Sequence, residues 1–223
     1  MKLRHSGPPV LAAEIAANQV FAMEIYALAE TRGVPVTVHF ETREKSAPMV
    51  DVPSRIAELT DAFKTIADQP TIRMMILRGN GHTFSAGADL NWMKRAATHT
   101  KEDNVRDAVN LAEMLQSLYE MPQMTLAMVQ GGAMGGGAGL VAACDVAVCP
   151  VPEGGGTRMK LLEYFAAGKP VVSTRKGAEG LDSRDGQEIL LRDEPDAFAD
   201  AVLSLLRDPA LAQSLGDRAR AFV

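Results

Sequence analysis

The run MTLAMVQGGAMGGGAGLVAACDVAVCPVPEGGGTRMKLLEYFAAGKPVVST, residues 124–174, constrains the fold more than any other feature of the chain. Short apolar runs alternate in it with glycine-rich turns and helical stretches. A strand over MTLAMVQG turns through GGAMGGG into a helix, and DVAVCPV is the next strand. A glycine loop at 153–157 then opens a helix over 158–167, stopped by Gly168, before the strand PVVST. Apolar runs this short, set between turn signals, read as buried strands. Strand, helix and strand in regular succession specify an α/β fold with considerable parallel pairing.

The rest of the chain extends this pattern. Residues 9–32 read as a helix entered through Pro8-Pro9 and stopped by Gly33, and VPVTVHF (34–40) alternates as a strand does. In RIAELTDAFKTIA, Ile56, Leu59, Phe63 and Ile66 recur at helical spacing, which gives the helix one apolar face. TIRMMILRG (71–79) is a strand of the buried kind, and 102–120 an amphipathic helix with acidic residues at its start. From 194 onward the tail reads as two helices separated at Pro209.

Composition serves to exclude. A net charge of -5 argues against a nucleic-acid binder, whose footprint is basic. Cys144 and Cys149 have no metal-ligand spacing and read as small buried hydrophobes. None of the four histidines has another histidine or a cysteine at i+3 or i+4, so no metal site is expected. Glu14 and Asn18 interrupt any apolar core of a signal peptide. No apolar run approaches the roughly 18 residues of a membrane span. A reduced, cytoplasmic protein is the expectation.

Two loops carry the first chemistry. FSAGADL (84–90) follows one buried strand and GGAMGGG (131–137) the next, and small residues in both let a ligand carbonyl approach the main chain. The second loop also begins a helix, whose free amides favour negative charge. Together they have the makings of an oxyanion hole. Trp92 and Met93 follow the first loop and read either as lining of an acyl pocket or as core.

From about 34 to 148 the chain resembles the crotonase (enoyl-CoA hydratase/isomerase) superfamily. The resemblance rests on IAELTDAFKTIADQPTIRMMILRGNGHTFSAGADLNWMK and YEMPQMTLAMVQGGAMGGGAGLVAACDVAV. It implies a CoA thioester as ligand, with no tightly bound cofactor. It also implies that Ala88 and Gly136 supply the two oxyanion-hole amides, that Ala86 and Gly87 face the CoA, and that Ser46 and Ala47 fall in an approximate match to a CoA-contacting stretch. Hydration of an enoyl thioester needs a general acid/base, normally one or two carboxylates. The family's first glutamate falls at Gly139, and the stretch bearing its second has no counterpart after 148. Glu163 lies in the corresponding region of sequence, but MKLLEYFAAG is not that motif, and Asp89 and Asp145 read as structural. Hydratase activity is therefore expected to be weak or absent.

The second glycine loop follows another logic. Gly154, Gly155 and Gly156 free the backbone at a helix start, and Arg158 and Lys160 add positive charge where the dipole disfavours it, an arrangement suited to a diphosphate. Residues 145–223 resemble the C-terminal part of retaining glycosyltransferases with two Rossmann-like domains, through GGGTRMKLLEYFAAGKPVVST, GAEGL, DGQEILL and the terminal helices. That resemblance implies a nucleoside diphosphate sugar held by Gly155, Gly156, Thr157 and Arg158, with Glu163 on the ribose. Many relatives have a second glutamate at the position of Gly155, as this chain does not.

The sequence thus describes a composite: a helical segment 1–33, a crotonase-like half 34–148 and a Rossmann-like half 149–223, joined through strand 145–149. An acyl-CoA-binding protein is the leading expectation. A nucleotide-sugar-binding glycosyltransferase fragment and a recombinant or designed fold without catalytic activity stay open beside it, as does a homo-oligomer.

Overall fold

The computed structural model describes residues 11–14, 23–31, 34–40, 52–79, 83–87, 90–151 and 159–223. Its centre is an eight-stranded mixed sheet. β1 (Leu11–Glu14), β2 (Met23–Thr31) and β3 (Val34–Phe40) form one end of it. β4 (Ile72–Gly79), β6 (Met124–Met128), β8 (Val146–Cys149), β9 (Val171–Ser173) and β10 (Leu190–Leu191) follow in parallel. The spatial order is β1-β3-β2-β4-β6-β8-β9-β10. β5 (Ser85–Ala86) and β7 (Ala133–Met134) make a separate two-stranded sheet.

The expected helix over 9–32 is corrected: β1 and β2 occupy that stretch. β2 bonds to β3 on one side and to β4 on the other, both antiparallel, with Ile25 opposite Leu77. Pairing along an open sheet edge outweighs the modest helix preference of Ala, Leu, Met and Glu. Gly33, read as a helix stop, lies outside the described residues, in sequence between the paired Thr31 and Val34. An X-Gly pair at that spacing is a hairpin signal.

The helices expected over 102–120, 158–167 and the tail are present, as is the one carrying Ile56, Leu59, Phe63 and Ile66, while α2 is an addition to the elements read from the sequence. α1 (Val52–Ala67) buries Ile56, Leu59, Phe63 and Ile66, the four residues of its apolar face. α2 (Leu90–Ala96) leads to α3 (Lys101–Tyr119), whose N-cap Thr100 accepts a hydrogen bond from the Asp103 amide at 3.1 Å. α4 (Gly136–Ala143) and α5 (Met159–Ala166) flank β8 in the chain. α6 (Pro195–Arg207) and α7 (Pro209–Phe222) each begin on a proline, which suits the first helical position.

β8 explains the layering. All four of its residues are buried. Val146 and Val148 join the core beneath α6 and α7, with Leu126, Val172, Leu205 and Leu215. Ala147 and Cys149 join the larger core formed with α1, α3, α4 and α5, among Phe63, Met114, Leu140 and Phe165. The period of two puts successive side chains on opposite faces, so a strand covered on both faces is apolar throughout.

Candidate functional site

Every parallel strand runs in one direction, so the segments that follow β4, β6 and β8 leave the same edge of the sheet. β5 and β7 lie on two of them and pair in parallel, Ser85 opposite Ala133 and Ala86 opposite Met134. The Phe84 amide donates to Gln130 O at 2.7 Å and the Ser85 amide to Gly132 O at 3.0 Å. Ser85 Oγ donates to Met134 O at 3.4 Å and accepts from the Gly87 amide at 3.3 Å. These bonds hold the two small-residue loops side by side.

The start of α4 packs onto this pair. A Cβ on Gly137 would overlap the Ser85 side chain, with Oγ only 2.7 Å away, so glycine alone admits the helix at this depth. The first amides of an α-helix have no intrahelical acceptor, and α4 begins at Gly136. Ala86 is exposed in β5, and Gly87 beyond it has φ 97°. Ala88 and Asp89 lie outside the described residues, as do Ser46 and Ala47. Gly139 sits beneath α3, where a Cβ would come 3.3 Å from Leu115 Cδ1. Trp92 packs partly buried on the main core, while Met93 is half exposed, so the two do not share an environment.

The second glycine loop is placed less fully. Gly155, Gly156, Thr157 and Arg158 lie outside the described residues. Glu163 stands exposed on α5. Lys160, read as a phosphate-facing cation, donates instead to Gly131 O at 2.9 Å. The first turn of α5 therefore touches the loop between β6 and β7. Nothing in the sequence links residues 131 and 160, and only the fold brings them together.

Asp145 is consumed structurally. Its Oδ2 accepts from the Thr125 amide at 2.7 Å and from Thr125 Oγ1 at 2.9 Å, while its own amide donates to that hydroxyl at 2.9 Å. It stands at the amino ends of the strands, away from the loops. A cavity of about 440 Å³ opens at that end, lined by Tyr119, Gln123, Asp145, Lys169, Leu205 and others. Burial holds the Lys169 ammonium below its ordinary pKa, and Nζ lies 5.8 Å from the Tyr119 ring centre.

Comparison with known proteins gives two matches on one chain. Residues 50–151 match the family model described as enoyl-CoA hydratase/isomerase, and residues 132–208 match that of glycosyl transferases group 1. The two overlap over 132–151, which contains β7, α4 and β8. A Thermus thermophilus protein named, provisionally, as an enoyl-CoA hydratase is 34% identical over 117 residues, covering 52% of this chain and 46% of that protein. Human ethylmalonyl-CoA decarboxylase is 30% identical over 145 residues, 59% of this chain and 46% of the enzyme. A solved enoyl-CoA hydratase from Shewanella pealeana is 32% identical with a TM-score of 0.46, covering 56% of this chain and 46% of that one. The chain spans less than half the length of these relatives. Both resemblances carried by its motifs are present: crotonase-like in the first segment, glycosyltransferase-like in the second.

Proposed function

We propose that the edge formed by β5, β7 and the start of α4 binds the thioester of an acyl-CoA. The amides of Ala88 and Gly136 donate to the thioester oxygen, and Ala86 and Gly87 face the CoA. The observation that carries this reading is the parallel register of β5 and β7. Counting two residues beyond the Ala86–Met134 pair reaches positions 88 and 136, the pair that the crotonase resemblance implies. Hydration or isomerisation is weak or absent in this reading. Glycine at 139 supplies no carboxylate, Glu163 is exposed on α5, and Asp145 is bound to Thr125 at the other end of the strands. Without a placed proton donor and acceptor, thioester binding alone does not hydrate an enoyl group.

Isothermal titration with acetoacetyl-CoA tests the binding. The expected result is saturable heat that Gly136→Pro weakens by at least about fivefold, the loss of one hydrogen bond being the minimum effect. Proline fits the first position of α4, removes the donor and sets its ring where the amide hydrogen pointed. No heat at millimolar ligand overturns the reading, and fast turnover of crotonyl-CoA overturns the weak or absent hydration.

The match over 132–208 favours a second reading. Here a nucleoside diphosphate sugar is held by Gly155, Gly156, Thr157 and Arg158, with Glu163 on the ribose. UDP or GDP would then raise the melting temperature, and Gly155→Val would remove the effect. Unchanged melting at high nucleotide excludes it.

A further inference from the structure

Lys160 occupies an unfavourable place on its own helix, since a cation in the first turn opposes the dipole. The reason for a lysine there lies across the joint between the two family-like segments. Around the bend between β6 and β7 the backbone carbonyls divide their partners. Those of Gln130, Gly132 and Met134 go to Phe84 and Ser85 on the β5 side. That of Gly131 goes to Lys160 Nζ at 2.9 Å, from α5. Gly131 has φ 58°, in the left-handed region, so its peptide is turned out of the extended path of its neighbours. The bend is thus clasped from two sides, by β5 on one and by the ammonium on the other.

We infer that Lys160 is a positioning residue of the acyl-CoA site: by fixing the Gly131 peptide it sets the direction of β7 and of the Gly136 amide five residues on. This rests on the acyl-CoA reading above. It also gives the glycosyltransferase-like segment a part in the crotonase-like site. The acceptor is a backbone carbonyl, so any strong donor of similar reach serves, and arginine keeps the function where methionine does not.

The test compares wild type, Lys160→Met and Lys160→Arg by titration with acetoacetyl-CoA and, separately, with free CoA, which has no thioester oxygen. Lys160→Met is expected to weaken acetoacetyl-CoA about fivefold, as loss of an aligned donor does, with free CoA and the melting temperature unchanged. Lys160→Arg is expected to restore the thioester affinity. Equal affinity of the Met variant for acetoacetyl-CoA overturns the inference. So does an equal loss for both ligands, which marks Lys160 as a phosphate contact or a general prop. If wild type binds free CoA and acetoacetyl-CoA alike, or neither, the acyl-CoA reading itself falls, a result distinct from failure of Lys160 alone.

Discussion

Burial pushes the Cys144 thiol up to about 12, and the neighbouring Asp145 carboxylate adds to the shift. Cys149 is likewise fully buried. Thiolate is the reactive form of Cys144, and burial shuts a reagent away from both thiols, so neither cysteine of the folded chain is expected to react with a disulfide reagent at pH 8, and both react once guanidinium unfolds it. Rapid labelling of one thiol in the native protein would contradict the packing around β8. A second residue-scale effect concerns acid. The Arg184 guanidinium donates to Glu188 Oε1 at 2.8 Å and holds the Glu188 carboxyl below its ordinary 4.5. A depressed folded value stabilises the fold fully above the unfolded value and ceases to do so as pH falls through the folded one. Glu188→Gln is therefore expected to lower the melting temperature slightly at pH 7, the effect being small because Arg184 is largely in water. The gap in melting temperature between the variant and wild type should close as the pH drops below the ordinary 4.5 and through the lower folded value. A gap independent of pH would mean that the ion pair contributes nothing.

The approach of α4 to β5 turns on one contact between elements. Gly137→Ala drives a methyl into the Ser85 side chain, and overpacking of this kind costs about 1–3 kcal/mol. Adding Ser85→Gly removes the atoms it meets, so the double variant is expected to be more stable than the sum of the singles predicts. Strict additivity by thermal melts would show that α4 does not press on β5. Whether an element was legible in the sequence follows the same division between local and distant causes. α1 and β8 could be read because their burial follows their own periodicity: Ile56, Leu59, Phe63 and Ile66 at one spacing, four buried residues in a row at the other. β2 reads as helix because Ala27, Leu28, Ala29 and Glu30 suit one, and only pairing with β3 and β4 makes them a strand. β5, β7 and β10 have two residues each, too few for any period, and exist through their partners. The small-residue loops of the site were visible as sequence. Ser85 as the tie between them, and Lys160 as the clasp on Gly131, were not, because both bonds join residues far apart in the chain.

At the scale of the molecule, two family-like segments share one sheet. β8 belongs to both family matches and is hydrogen-bonded to β6 on one side and β9 on the other. The larger core runs across the joint from Phe63 and Met114 to Leu161, Phe165 and Ala219. A domain boundary is a place where few contacts cross, and β8 is the opposite of that. The chain is accordingly expected to unfold as one cooperative unit from β4 to α7. Native-state hydrogen exchange, read by mass spectrometry across a guanidinium series, tests this most directly. The amides of β4, β6, β8 and β9 are expected to open together, with one free energy and one denaturant slope. Opening of β9 and α5 at distinctly lower denaturant, while β4 and β6 stay protected, would contradict it.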